Sequence, residues 1–216
     1  MKKNNKTKAV VFDLDGTLVQ SHETIYYSMM NAFKALNIHA EVPLEEFSDF
    51  IGLHFDDIFK NFGVTVPDFE EFLTIYKEFY AENLNTSKLY PGVVEILESL
   101  RKQKIRIALL TTKGQDQAEF ILKHFELDKY FNMIMGRTPA IEVKPSPESL
   151  FIICHEFRVE PSEIIMVGDS EMDIRCGKNA GSKTCAVSFG YRTVEAIKKE
   201  KPDFIINELL QIEKHL

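Results

Sequence analysis

The sequence AVVFDLDGTL, residues 9–18, decides the fold. Its first four residues form an apolar run of strand length, and Gly16 allows the chain to turn sharply after it. Asp13 and Asp15 therefore follow a buried strand at the edge of a sheet. Two ionised carboxylates there carry a large desolvation penalty, and a divalent cation or a reacting phosphoryl group is the usual reason to tolerate it. A strand followed by a plain acidic turn is the alternative that this stretch alone leaves open.

Three later segments repeat the pattern of an apolar strand followed by polar residues. The predicted strands cover residues 106–110, 131–135 and 163–167. The polar residues after them are Thr111, Thr112 and Lys113, then Lys144, then Asp169 and Asp173. A helical pattern follows each strand, which predicts an α/β fold with a parallel sheet and helices on both faces. Ligands of such sheets bind outside the carboxyl ends of the strands, where these polar residues are expected.

Residues 20–88 differ in composition from the rest of the chain. They contain 12 Asp and Glu against 4 Lys and Arg, and they hold 9 of the 17 phenylalanines. Helical periodicity predicts four helices, over 24–36, 44–50, 55–62 and 68–83, and no strand between residues 23 and 84. We therefore expect an all-helical cap over 20–88, inserted into a core of residues 1–19 and 89–216. The connections 18–22 and 85–90 are the predicted hinges.

Charge and hydropathy exclude several classes of protein. The formal net charge of −7 argues against nucleic acid as the main partner. No apolar run approaches the length of a membrane span, and no secretory signal pattern is found, which predicts a cytoplasmic protein away from the membrane. The three cysteines have no paired spacing, so we expect free thiols in a reducing compartment.

Together these residues resemble the haloacid dehalogenase superfamily, in its magnesium-dependent phosphatase branch. Four motifs carry the resemblance along nearly the whole chain: residues 13–17, Thr111, Lys144 with Pro145, and residues 168–173. The chain is most similar to the phosphoglycolate phosphatase and beta-phosphoglucomutase group, which has a helical cap between the first two motifs. The resemblance implies a Rossmann-like parallel core. Residues 20–21 and 111–113 depart from the sequences common in that group, without loss of a catalytic group.

The resemblance also implies roles in catalysis. Asp13 would be the nucleophile, which forms an aspartyl-phosphate intermediate. Asp15 would protonate the leaving group and then activate the hydrolytic water. Thr111, Thr112 and Lys144 would bind the transferring phosphoryl group.

A magnesium site is implied by the same motifs. Its ligands would be Asp13, the backbone carbonyl of Asp15 and Asp169, with Asp173 completing or orienting the site. For Asp173, an exposed aspartate in the first turn of a helix is the competing interpretation. Lys113 and Arg192 could each reach an anionic substrate or be solvated loop charges.

The predicted function is Mg²⁺-dependent hydrolysis of a small phosphate monoester, such as phosphoglycolate or a sugar phosphate. A phosphomutase of the beta-phosphoglucomutase type and a pyrophosphatase are alternatives, and a phospho-accepting signalling protein without turnover is a remote one. The cap has no arginine for a second phosphate, which favours a hydrolase over a mutase. By resemblance, Gly52, Leu53 and His54 form the substrate-specificity turn, although His54 could be a surface histidine. The partner is a small phosphorylated metabolite, and the chain is expected to be a monomer or weak dimer.

Overall fold

The computed structural model describes residues 6–216, so the first five residues of the predicted core segment lie outside it. The strands are β1 (Ala9–Phe12), β2 (Val19–Gln20), β3 (Lys88–Leu89), β4 (Arg106–Gly114), β5 (Met133–Arg137), β6 (Ile164–Gly168), β7 (Lys183–Val187) and β8 (Phe204–Ile206). The helices are α1 (His22–Ala35), α2 (Leu44–Phe47), α3 (Phe55–Asn61), α4 (Phe69–Asn83), α5 (Val93–Lys102), α6 (Gln115–His124), α7 (Glu148–Phe157), α8 (Glu171–Ala180) and α9 (Val194–Lys199).

Six strands form one parallel sheet in the order β5-β4-β1-β6-β7-β8. The strand β1 lies between β4 and β6, with Phe12 opposite Leu109 on one side and Val167 on the other. All four residues of β1 are buried, because helices cover both faces of the sheet. The predicted α/β fold is confirmed. The strand order reverses at β1, so the carboxyl ends of β1, β4 and β6 form the expected ligand crevice.

The helical insertion after the first strand is also confirmed. Its four α-helices, α1 to α4, lie between β2 and β3, and no strand interrupts them among the described residues. Phe72 is buried between Phe33 and Phe59, with ring centroids 5.5 and 5.0 Å away. Each such ring pair contributes about 0.5–1.5 kcal/mol beyond the burial of its area. These phenylalanines of the insertion therefore pack against one another, within an apolar cluster that continues to Phe12 of β1.

The two connections to the insertion are paired with each other. Val19 and Gln20 of β2 form an antiparallel ladder with Leu89 and Lys88 of β3. Strands of two residues are too short to show alternation, so this pairing could not be predicted. The two connections therefore lie side by side.

Several helix starts differ from the predicted ones. The sequence predicts an N-cap at Ser146 for α7, a start at Asp173 for α8 and an N-cap at Asn207 for the last helix. Helix α1 begins at His22, two residues before its predicted start. Helix α7 begins at Glu148 with Pro147 in the cap position, and Ser146 only accepts a 3.3 Å hydrogen bond from the Glu148 N–H. The last helix is a 3₁₀ helix over Leu209–His215, and Asn207 bonds the Gln211 side chain instead of capping it. Helix α8 begins at Glu171, two residues earlier than predicted. Short polar side chains can form hydrogen bonds with several nearby backbone groups. The sequence alone therefore does not determine which residue caps the helix.

The three cysteines are buried free thiols, as predicted. Among the helices of residues 6–216, none combines the length and the apolar character that a membrane crossing requires.

Candidate active site

Three buried carboxylates meet at the carboxyl edge of the sheet. Asp13 follows β1, Asp169 follows β6, and Asp173 lies in the first turn of α8. Each offers one oxygen to a group in which all ligand atoms lie within 4.8 Å of one another. The parallel pairing of β1 with β6 brings Asp13 and Asp169 to the same edge, as the sequence predicted.

Asp173 is held in place by the start of its own helix. One of its carboxylate oxygens accepts hydrogen bonds from the Ser170 N–H at 3.1 Å and the Ser170 hydroxyl at 2.6 Å. The side chain packs against Gly168, where any Cβ would collide with it. Asp173 is fully buried, so the alternative of an exposed first-turn aspartate is wrong. Ser170 caps α8.

Lys144 bridges two of these carboxylates. Its Nζ lies 2.7 Å from Oδ1 of Asp13 and 2.6 Å from Oδ1 of Asp173, and it also donates to the Leu110 carbonyl at 3.1 Å. The side chain is only 3% exposed. Burial alone would lower the pKa of Lys144, but the two carboxylates raise it above its ordinary value. The lysine is therefore a fixed buried ammonium and not a solvated loop residue.

The charges of this group do not balance within the protein. Three carboxylates face the single ammonium of Lys144. Burial raises the pKa of Asp13 despite the lysine, and the charges of Asp173 and Asp169 add to this effect. Burial, with the charge of Asp173, also raises the pKa of Asp169 to about 7. A divalent cation would supply the missing positive charge, and an all-oxygen donor set suits Mg²⁺. The residues present therefore fit a metal ion.

Asp15 lies in the turn after β1 and has partners of its own. The Ser21 hydroxyl donates to Oδ1 of Asp15, and Nζ of Lys113 lies 3.3 Å from Oδ2. The same ammonium lies 4.7 Å from the centre of the Tyr80 ring, which belongs to the insertion. Since the Lys113 side chain is 8% exposed, the interpretation as a solvated loop charge is wrong.

The two threonines near the end of β4 have different partners. Thr111 is buried beside the carboxylates, and its hydroxyl oxygen accepts from the Lys113 N–H at 3.2 Å. The Thr112 hydroxyl donates to the Gly52 carbonyl of the insertion at 3.0 Å. Thr112 was predicted to bind phosphate, but its side chain contacts the insertion. The residue also lines a small pocket together with Asp13 and Asp169.

The turn that contains Gly52, Leu53 and His54 lies over this site. Gly52 has a φ of +94°, which favours glycine. The His54 ring caps α3 by accepting from the Asp56 N–H at 3.3 Å. Arg192 donates to the Ile51 carbonyl at 3.1 Å and pairs with Glu171, so its side chain is not solvated. With Thr112, it attaches the turn to the sheet edge.

Three adjoining spaces follow from this arrangement: a small pocket, an inner cavity and a groove. A pocket of about 10 Å³, room for about one water, lies among the carboxylates, Thr111 and Lys144. It shares Asp15, Gly52 and Lys144 with an inner cavity of about 200 Å³, which Leu53 and His54 also line. A wide groove of about 1360 Å³ shares His54 with that cavity and leads outward.

Two residues of the site, Tyr191 and Arg137, were not predicted from the sequence. Tyr191 donates its N–H to Asp169 at 2.7 Å, and its hydroxyl accepts from the Ser21 N–H at 2.7 Å. Arg137, at the end of β5, lines both the inner cavity and the groove. A cation at the end of a predicted strand was an available signal for Arg137. Nothing in the local pattern indicated Tyr191.

Comparison with known proteins identifies the family. A family model described as haloacid dehalogenase-like hydrolase matches residues 10–187, well over half of the chain. The chain belongs to the haloacid dehalogenase-like hydrolase family. It is a phosphatase-type enzyme of this family, as the motifs predicted.

Named relatives of this hydrolase cover nearly its whole length. The pyrophosphatase PpaX of Bacillus mycoides is 32% identical over 205 residues, covering 94% of both chains. The protein of the same name from Bacillus cereus is 32% identical over 209 residues, with the same coverage. The crystal structure of a predicted phosphoglycolate phosphatase from Haemophilus somnus matches with a TM-score of 0.86 and 32% identity, covering 97% of each chain.

Proposed function

We propose that this hydrolase is a Mg²⁺-dependent phosphatase that transfers a phosphoryl group from a small substrate to Asp13 and then to water. The observation that carries the proposal is the position of Asp13, in contact with Lys144 and within one oxygen cluster with Asp169 and Asp173. A carboxylate among cationic partners can attack a phosphoryl group whose charge those partners neutralise.

The residues supply each step of a two-stage reaction. An oxygen of Asp13 attacks the phosphorus, the bond to the leaving oxygen breaks, and Asp15 donates a proton to that oxygen. Water then attacks the phosphorus of the aspartyl-phosphate, Asp15 takes its proton, and phosphate leaves with Asp13 restored. Lys144 and Thr111 hold the phosphoryl oxygens during both stages. When bound at the three aspartates, Mg²⁺ would offset the negative charge of the phosphoryl group. The backbone carbonyl of Asp15 is a further proposed ligand.

Inorganic pyrophosphate is the substrate that the relatives favour. Two proteins named pyrophosphatase PpaX share about a third of their residues with this chain over nearly their whole length. Phosphoglycolate is the second candidate, supported by the similar structure from Haemophilus somnus. Arg137 lines the inner cavity, so the lack of an arginine in the cap does not argue against a mutase. A mutase would nevertheless have to limit the access of water to the aspartyl-phosphate.

A substrate panel tests this proposal. Pyrophosphate, phosphoglycolate, several sugar phosphates and an aryl phosphate are assayed with Mg²⁺ and with chelator, with Asp13→Asn as the inactive control. We expect phosphate release that requires Mg²⁺ and is fastest with pyrophosphate. Isomerisation of a sugar phosphate without phosphate release would favour the mutase. Absence of Mg²⁺-dependent turnover on every substrate would contradict the proposed function.

A further inference from the structure

Arg137 differs from the other cations of the inner cavity. The lysine and arginine residues that line this cavity are Lys77, Lys113, Arg137 and Lys144. The three lysines each have a carboxylate partner: Asp116 for Lys77, Asp15 for Lys113, and Asp13 with Asp173 for Lys144. Within residues 6–216, the Arg137 guanidinium has neither an ion pair nor a hydrogen bond to another side chain. Its charge is therefore available to a ligand.

The backbone holds Arg137 firmly at the sheet edge. After a register shift in β4, Gly114 pairs with Arg137, which extends the β4–β5 ladder beyond Thr111 and Thr112. The preceding Gly136 donates its N–H to the Gln115 side chain at 2.6 Å. A Cβ on Gly136 would lie 2.6 Å from the Gln115 Cα, so the chain passes here only because this residue is glycine. Arg137 is thus attached to a rigid element at the inner cavity.

The size and position of the cavity limit what Arg137 can meet there. The inner cavity has a volume of about 200 Å³. It is smaller than the roughly 300–1,000 Å³ pockets that hold larger ligands. It also meets the pocket of about 10 Å³ at Asp15, the proposed proton donor to the leaving group. A small leaving group would therefore occupy this cavity.

We propose that Arg137 binds a second anionic group of the substrate, on its leaving side. The guanidinium fork matches the oxygens of a phosphate or a carboxylate and forms charge-assisted hydrogen bonds with them. The leaving phosphate of pyrophosphate and the carboxylate of phosphoglycolate share this chemistry. This inference rests on the proposed function, and it makes Arg137 the residue that selects substrates with an anionic leaving group.

Binding without turnover tests the role of Arg137. In the Asp13→Asn protein with Mg²⁺, titration calorimetry measures the Kd of pyrophosphate, phosphoglycolate and phenyl phosphate, whose leaving group is uncharged. Adding Arg137→Met should weaken the anionic ligands about 10- to 100-fold, the range expected for lost hydrogen bonds to a charged group. Phenyl phosphate binding should change little. Arg137→Lys should restore part of the loss, because it keeps the charge without the fork.

Lys77→Met is the matched control, since Lys77 lines the same cavity but is already paired with exposed Asp116. It should leave all three Kd values nearly unchanged. If Arg137→Met weakens pyrophosphate more than phosphoglycolate, the group bound by Arg137 is a phosphate. The opposite order indicates a carboxylate. The proposal would be overturned if Arg137→Met weakened the binding of all three ligands equally or of none. It would also be overturned if neither anionic ligand bound. Because turnover is not measured here, a failure of the proposed phosphatase activity would be seen separately in the substrate panel.

Discussion

The ammonium of Lys144 lies 2.7 Å from the carboxylate of Asp13, deep at the carboxyl edge of the sheet. The same ammonium contacts Asp173, so one cation joins the proposed nucleophile to the proposed metal site. A substrate phosphoryl group that entered this pocket would meet the lysine and the nucleophile together. The positive charge that phosphoryl transfer requires is therefore already in place before substrate binds.

Replacing Lys144 should affect both stability and activity. In Lys144→Met, Asp13 and Asp173 lose their buried counter-charge, which should lower the free energy of unfolding by about 3–5 kcal/mol in chelator. Mg²⁺ should restore part of that stability but not the activity. Denaturant unfolding with and without Mg²⁺ measures this, and Lys8→Met, which removes an exposed ion pair with Glu163, is the control. Equal stability of the two variants would show that the buried contacts are not significant.

Asp15→Asn should slow turnover far more than it weakens binding. Loss of proton transfer to the leaving oxygen is expected to reduce kcat on an alkyl phosphate by about 10²- to 10⁴-fold. The leaving group of an aryl phosphate needs less protonation, so kcat on that substrate should fall less. Steady-state kinetics on the two substrates measure the difference. Near-normal turnover of the alkyl phosphate would mean that another residue is the acid.

Stability without metal should depend on pH through Asp169. Its pKa is about 7 in the folded protein, against an ordinary value of 3.8. Between these values the unfolded chain binds fewer protons than the native one, so the free energy of unfolding should fall as pH rises from about 4 to 7. At about 1.4 kcal/mol per pKa unit, the effect amounts to a few kcal/mol. Urea unfolding in chelator at several pH values measures it.

Asp169→Asn is the control for this pH dependence, because the amide does not titrate. Its unfolding free energy should change less than that of the native chain over the same pH range. Mg²⁺ should likewise reduce the fall, since a bound cation favours the ionised carboxylate. Identical pH profiles for the two proteins would contradict the role given to Asp169.

The sheet could be predicted because its central strands are buried on both faces. The run Ala9–Phe12 is continuously apolar for that reason, and it ends where the carboxylates begin. The polar end of β4, residues 111–114, was not predicted as strand. These residues are strand because Gly114 pairs with Arg137 after a register shift. The local sequence pattern does not indicate such a pairing with a distant segment.

The contacts within the site depend on residues that are distant in sequence. The sequence allows both a buried and an exposed position for Asp173, and its partner Lys144 lies 29 residues earlier. The contact between Thr112 and Gly52 spans 60 residues and depends on how the insertion packs on the sheet. Motif order therefore predicted which residues meet, whereas their individual hydrogen bonds required the folded chain.

Substitutions in the turn over the site should change substrate preference. Leu53 and His54 line the inner cavity, where the leaving group is expected. Leu53→Ala and His54→Ala should therefore alter the relative kcat/KM values of the substrate panel while leaving the Mg²⁺ requirement intact. His39→Ala, an exposed histidine of the insertion, is the control. An unchanged ranking, or an equal loss on every substrate, would mean that the turn has only a structural role.

The central claim is that Asp13 carries the phosphoryl group during turnover. The most direct measurement is rapid acid quenching of the enzyme during hydrolysis, followed by mass spectrometry of the peptide that contains Asp13. We predict the mass of one added phosphoryl group on that peptide, with Mg²⁺ present and not with chelator, and none in Asp13→Asn. Sustained hydrolysis by Asp13→Asn, or a phosphoryl group on a different peptide, would contradict the account.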